Sequence, residues 1–156
     1  MGRILAIDYG KRRTGLAVTD PLKLIANGLT TVSGSELLPW LDAYLKKEQV
    51  ERLVVGLPRQ MDGKPSAAMP DIEKFVAAFS RRHPEVPVSY HDERFTSVLA
   101  HRALLDGGLH RMDRRNKPLV DTVSAVIILQ GYLEGERIRL EHENPGAWET
   151  GSNRVV

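Results

Sequence analysis

Apolar positions change their period several times along the chain, and each change marks an element. Residues 3–8 (Arg-Ile-Leu-Ala-Ile-Asp) carry Ile4 and Ala6 on one alternating face and Leu5 and Ile7 on the other. A strand apolar on both sides is central and covered on both faces. It stops at Asp8, and Tyr9-Gly10-Lys11-Arg12-Arg13-Thr14-Gly15 follows as a turn bracketed by glycines. Residues 15–19 predict a second strand, closed by Asp20-Pro21, and residues 24–32 a third with Gly28 as a bulge.

The period then becomes helical. Leu37, Leu38, Leu41, Tyr44 and Leu45 form a stripe, with Ser35 as the expected cap. Residues 52–56 predict a fourth strand, followed by a loop with Pro58, Gly63 and Pro65. A helix over residues 68–82 places Ile72, Phe75, Val76 and Phe79 on one face. Residues 86–90 predict a fifth strand that delivers His91, Asp92 and Glu93. A helix capped by Thr96 or Ser97 runs to Leu105, and a last one runs from near Pro118 to about Leu133. Residues 141–156 are expected as a flexible tail after a single domain at 1–140.

The first three strands have short connections and predict an antiparallel meander. The later two alternate with helices and predict parallel pairing through right-handed crossovers. The fold class is therefore α/β: a mixed five-stranded sheet, three antiparallel strands then two parallel, with helices on both faces.

Composition narrows the classes. A chain of 156 residues with 42% hydrophobic content suits one core. No stretch reaches the ~20 apolar residues of a membrane span, and the apolar run before Asp8 is too short for a signal peptide. There is no cysteine, hence no disulfide, thiolate metal site or cysteine nucleophile. A cytoplasmic location is the simplest expectation. Charge is nearly balanced, 22 Lys+Arg against 20 Asp+Glu. Basic residues nevertheless cluster at Lys11-Arg12-Arg13, at Arg81-Arg82 and along Arg111, Arg114, Arg115 and Lys117. Each cluster alone is compatible with solvated surface; on one face they would track a phosphate backbone.

Three acids stand where chemistry would sit. Asp8 ends a central strand, Glu93 follows another, and Asp121 lies in the first turn of the last helix. Parallel strands bring their carboxyl ends to one edge, where open α/β sheets place their sites. Three carboxylates together are tolerated as ions if cations lie between them, and hard oxygen ligands select Mg²⁺ or Mn²⁺. Two such ions about 4 Å apart can clamp a scissile phosphate, with Lys11, Arg12 or Arg94 neutralising it. Each acid also has a plainer role open to it. Asp8 can start a turn, Glu93 can pair with Arg94 or cap a helix, and Asp121 can complement a helix dipole or pair with Lys117. His91 is expected as a strand-end residue rather than a ligand.

Four blocks then carry a family resemblance: Asp8-Tyr9-Gly10-Lys11-Arg12-Arg13-Thr14-Gly15-Leu16-Ala17-Val18-Thr19-Asp20; Val54-Val55-Gly56-Leu57-Pro58 with Met61-Asp62-Gly63; Asp92-Glu93-Arg94-Phe95-Thr96-Ser97; and Lys117 and Asp121 running into Ile128-Leu129-Gln130-Gly131-Tyr132-Leu133. With these the chain resembles the YqgF/RuvX family of ribonuclease-H-like nucleases. The resemblance implies a ribonuclease-H-like fold similar to RuvC-type resolvases. It implies Asp8, Glu93 and Asp121 as catalytic metal ligands, two Mg²⁺ or Mn²⁺ ions, and a nucleic-acid substrate contacted by Lys11, Arg12, Arg13, Arg94, Arg114, Arg115 and Lys117. Two activities follow from it: 5′-end maturation of 16S rRNA from its precursor, with the assembling small ribosomal subunit as partner, or resolution of Holliday junctions. A resolvase would act as a homodimer, since a four-way junction is cut at paired positions; a maturation nuclease can be a monomer.

The sequence departs from the family at Pro118, Val123 and Ser124, which adjust packing beside Asp121 and leave the carboxylate in place. A non-catalytic nucleic-acid-binding module is a further reading, opposed by retention of all three acids. A sugar-kinase or actin-like ATPase shares the Asp-x-Gly-x-x-x-x-Gly hairpin but needs two such domains. Residues 107–117, with Gly107-Gly108 beside basic residues, are expected as a loop that closes over substrate.

Overall fold

The computed structural model describes residues 2–57, 67–92 and 117–143, with the backbone alone at 117–121 and 141–143. The strands are β1 Arg3–Asp8, β2 Arg13–Thr19, β3 Ala26–Ser33, β4 Val50–Leu57 and β5 Val88–Asp92. The helices are α1 Leu37–Lys47, α2 Met69–Arg82 and α3 Lys117–Glu143, with a 3₁₀ turn over Gly34–Glu36. They form one five-stranded sheet in the order β3-β2-β1-β4-β5. β1 pairs antiparallel with β2 and β2 with β3, while β1 pairs parallel with β4 and β4 with β5. This is the mixed sheet that the pattern predicts.

The two faces of β1 select two cores. Leu5 and Ile7 join Leu16, Leu53 and Val55 under α1 and α2, which add Leu37, Leu41, Ile72, Phe75 and Phe79. Ile4 and Ala6 join Ala17 and Val54 under α3, which adds Ala125, Val126, Ile128 and Leu129. Each fully buried aliphatic or aromatic side chain contributes about 1.5–3 kcal/mol. Ala6 and Ala17 are completely buried, and side chains this small let α3 lie close to the sheet.

Several boundaries differ from the sequence reading, each for a local reason. Ser35 does not cap α1: its N-cap is Glu36, without a side-chain cap bond, and the chain enters through the 3₁₀ turn. The Gly34 N–H donates to the Arg12 carbonyl at 3.1 Å, which seats this turn on the first hairpin. β5 starts two residues later than expected, because Val86 is held in a turn on His83 and Pro87 has no N–H to give to the ladder. β3 starts at Ala26, because Leu24 and Ile25 belong to a turn organised by Asp20. Its carboxylate accepts the backbone N–H groups of Leu22, Leu24 and Ile25, which holds its pKa below the usual value. The expected bulge is present beside Gly28: Leu16 faces Thr30 while Ala17 faces Gly28, leaving Leu29 as the extra residue. α3 continues past Leu133 to Glu143, so residues 141–143 of the expected tail are helical. Its apolar stripe ends at Leu133, but the first proline after Pro118 is Pro145.

Candidate active site at the carboxyl edge of the sheet

Asp8 is the last residue of β1, half-buried, on the face covered by α3. Strand pairing places it in a row that crosses all five strands. Gly15 pairs with Asp8 on one side and with Thr31 beyond. Extending the Ile7–Val55 register by one step brings Gly56 beside Asp8 on the other side, and Gly56 pairs with His91. The row therefore reads Thr31, Gly15, Asp8, Gly56, His91. Both strand neighbours of Asp8 are glycines, which bring no side chain against it from within the sheet.

The hairpin that leads away from Asp8 is stiff. Thr14, fully buried, accepts the Gly10 N–H at 3.3 Å and donates to the Gly10 carbonyl at 3.2 Å. A Cβ on Gly10 would stand 2.1 Å from the Arg13 carbonyl oxygen, and one on Gly34 would stand 2.3 Å from that of Lys11. Only glycine fits at both places. Lys11, Arg12 and Arg13 project from this fixed hairpin as exposed residues. They follow Asp8 by three to five positions, on the connection from β1 to β2. Tyr9 turns the other way and packs on Phe75 with ring centroids 5.6 Å apart. Burial, and then Asp71, push its phenol pKa up.

Asp92, the last residue of β5, pairs with Leu57 and alternates onto the face opposite Asp8. Glu93, Arg94, Arg114 and Arg115 lie outside the described residues, as do the helix expected at 96–105 and all of the loop expected at 107–117 except Lys117, which begins α3. Lys117 and Asp121 are placed by backbone, in the first two turns of α3. Position 121 shares a stripe with Ser124, Ile128 and Gly131, spaced three, four and three residues apart. That stripe faces the Asp8 row: a Cβ on Gly131 would stand 2.6 Å from the His91 Nε2. Arg81 and Arg82, by contrast, end α2 at the opposite edge, where Arg82 pairs with Asp42.

His91 behaves as a strand-end residue whose ring is turned into the helix. Its Nε2 is buried without a hydrogen-bond partner among the described residues. Burial lowers its pKa, opposed in smaller part by Asp92, so the ring stays neutral. The glycine flanks of Asp8, the Thr14 clasp and the His91–Gly131 contact were not assigned roles from the sequence. The glycines stand within the motif blocks, but their function is visible only once the register is known.

A cavity of about 1250 Å³ lies elsewhere, between the second half of α3 and the turn at Leu24–Ile25. It is at the amino edge of the parallel strands, away from Asp8. Among the described residues no three His, Cys, Asp or Glu side chains form a metal cluster, and no helix is long and apolar enough to cross a membrane.

A mixed sheet of this order, with a carboxylate at the end of its first strand, defines the ribonuclease-H-like class. The T. thermophilus RuvC chain solved in complex with Holliday junction substrate has the same fold, with a TM-score of 0.54 at 18% identity, covering 86% of this chain and 96% of that one. Sequence narrows the class: residues 2–135 match the model of the family described as RuvX, Holliday junction resolvase. A protein of Bacteroides thetaiotaomicron is 59% identical over 88% of this chain and 99% of its own length. One of Phocaeicola vulgatus is 58% identical over the same shares. Both carry the name "Putative pre-16S rRNA nuclease". The chain belongs to the RuvX family.

Proposed function

We propose that the chain is a divalent-metal-dependent endonuclease that matures the 5′ end of 16S rRNA in the cytoplasm, with Asp8, Glu93 and Asp121 as its metal ligands. The observation that carries the reading is Asp8, half-buried at the carboxyl edge and flanked on both strands by glycine. A carboxylate so placed is a hard oxygen donor at the edge of the sheet, and this fits Mg²⁺ or Mn²⁺. When bound, the ions supply charge neutralisation at the phosphate and an activated water. Asp8 orients them from a rigid strand end. Lys11, Arg12 and Arg13 hold the substrate backbone, and the Thr14–Gly10 clasp keeps those cations in place. The names of the relatives support rRNA as substrate, and their close match in length supports carrying that reading to this chain.

Resolution of four-way DNA junctions is the second reading, favoured by the description of the family. The deciding experiment offers purified protein a 5′-extended 16S precursor RNA and a four-way DNA junction, each with Mg²⁺, Mn²⁺ or EDTA. Metal-dependent cutting of the RNA, lost in Asp8→Asn with binding retained, is expected. Paired symmetric cuts in the junction alone would replace the first reading by the second. Binding without cleavage of either would reduce the chain to a binding module.

A further inference from the structure

We infer that the cavity at the amino edge of the parallel strands binds an amphiphilic monocarboxylate, with its carboxylate on the Arg52 guanidinium and its apolar body against Leu24, Ile25 and Leu140. The inference concerns the edge away from Asp8 and does not rest on the metal-site reading. The outer wall of the cavity, with Arg137, Arg139 and Leu140, lies beyond residue 135, where the match to the family ends.

Arg52 supplies the anion site. It alternates with Val54 onto the face of β4 covered by α3, is half-buried, and donates to the Ser89 Oγ on β5 at 2.5 Å. Two other cations of the cavity wall already have carboxylates: Lys23 meets Glu51 at 2.5 Å and Arg139 meets Glu136 at 2.7 Å. Arg52 forms no ion pair among the described residues. A guanidinium carries five N–H groups, and one hydroxyl leaves most of them to bind something else. A charge drawn partly out of water without a counter-ion is costly, and an arriving carboxylate removes that cost through charge-assisted bonds. The Tyr132 phenol stands beside Ser89. Burial raises its pKa, opposed in smaller part by Arg52, so it stays protonated and is a further donor.

The apolar side of the cavity is built rather than loose. Leu24 and Ile25 are 72% and 61% exposed, yet the Asp20 carboxylate accepts both of their N–H groups at 2.8 Å. Lys23, just before them, has a φ of 61°, a left-handed conformation that a side chain adopts at a cost. The turn thus holds its apolar residues toward solvent in a fixed shape. Ile4 and Leu133 continue the apolar lining inward, and the volume of about 1250 Å³ leaves room for a chain-like body. Charge selects the head. Glu51, Glu134 and Glu136 stand around the cavity against Lys23, Arg137 and Arg139. A balanced ring offers a polyanion such as RNA no net attraction, whereas one half-buried guanidinium matches one negative charge.

The test is calorimetric titration of the full chain with octanoate, acetate and octyltrimethylammonium. Octanoate is expected to bind. Acetate should bind at least roughly a hundredfold more weakly, since it lacks the methylenes that the apolar wall would bury, and the cationic probe should give no heat of binding. Arg52→Met keeps most of the stem and should weaken octanoate roughly tenfold or more, the scale of a lost charge-assisted bond. Leu24→Ser, at an exposed position that the fold does not need, should weaken it severalfold and decides the matter if Arg52→Met fails to fold. Absence of octanoate binding would overturn the proposal. So would equal affinity for acetate or for the cationic probe, or an octanoate affinity unchanged in the variants. Displacement of octanoate by a short single-stranded RNA would also overturn it, because the cavity would then be a polyanion site. None of these readouts uses cleavage, so failure here and failure of the nuclease reading remain distinct.

Discussion

The hydroxyls of Thr31 and Thr122 lie 2.9 Å apart, tying edge strand β3 to the turn of α3 that contains position 121. They are separated by 91 positions in sequence, so the bond is purely tertiary. Thr31→Val keeps the β-branched shape and removes the bond. It should lower stability by about 1 kcal/mol, read as a shift of the urea midpoint with unchanged m-value.

Gly28 is the surface on which Thr122 rests. A Cβ there would stand 2.4 Å from the Thr122 Cγ2, with the next contact, Val126 Cγ2, at an ordinary 3.6 Å. Gly28→Ala should therefore destabilise by about 1–3 kcal/mol. Adding Thr122→Ser removes the offending methyl and keeps the hydroxyl. Chemical denaturation of the double variant should recover most of the loss.

The obstacles at Gly10 and Gly34 are of another kind. At both, the atom in the way is a backbone carbonyl of the first hairpin, 2.1 Å and 2.3 Å from the added Cβ. No side-chain change can yield there. Gly10→Ala and Gly34→Ala should each lower the melting temperature and reduce nucleic-acid affinity, because the hairpin carries Lys11, Arg12 and Arg13. The affinity loss should shrink as salt rises, which a titration at two ionic strengths will reveal.

Metal should stabilise the fold through Asp8. Ligands that bind only the native state raise its stability by mass action. Mn²⁺ is expected to raise the melting temperature of the wild type and EDTA to reverse it. Asp8→Asn should lose most of the Mn²⁺ increment. An equal increment in the variant would remove Asp8 from the ligand set.

A pH effect is expected at the α1–α2 contact. Asp42 accepts from His83 at 2.6 Å and pairs with Arg82. The His83 bond first, then Arg82, hold its pKa below the usual carboxylate value. A lowered folded-state pKa means that the unfolded chain takes up the proton first as pH falls. The contribution is thus complete above the ordinary carboxylate pKa and is lost as pH falls through the lowered one. It is modest, since the carboxylate is about a third exposed (31%). Melting curves of wild type and Asp42→Asn should diverge at neutral pH and converge in acid.

The period of β1 made the sheet legible: two apolar faces require two covering layers, and both cores are found where Leu5/Ile7 and Ile4/Ala6 point. Connection lengths then separated the antiparallel pairs from the parallel ones. Boundaries were less legible where tertiary bonds decide them. Ser35 looks like a cap, but the Gly34–Arg12 bond redirects the entry. Leu24 and Ile25 look like strand, but Asp20 captures their N–H groups. At the candidate site, the place of Asp8 at the end of a central strand was legible, because the apolar run of β1 stops there. The glycines around it were not, since a neighbour across a sheet is set by register and register is not written in local pattern. His91 was legible as a strand-end residue, but its contact with Gly131 spans elements far apart in sequence.

α3 closes the second core with residues far along the chain. Ala6 and Ala17, near the start of the chain, are sealed by Ala125, Val126 and Leu129 near its other end. Contacts this distant close a long loop, which costs entropy and slows folding. While the chain is being synthesised, Asp8 and its basic hairpin emerge from the ribosome long before α3. Under the proposed metal site, a half-made chain would present Lys11, Arg12 and Arg13 without Asp121, and would not cut RNA until α3 has been made.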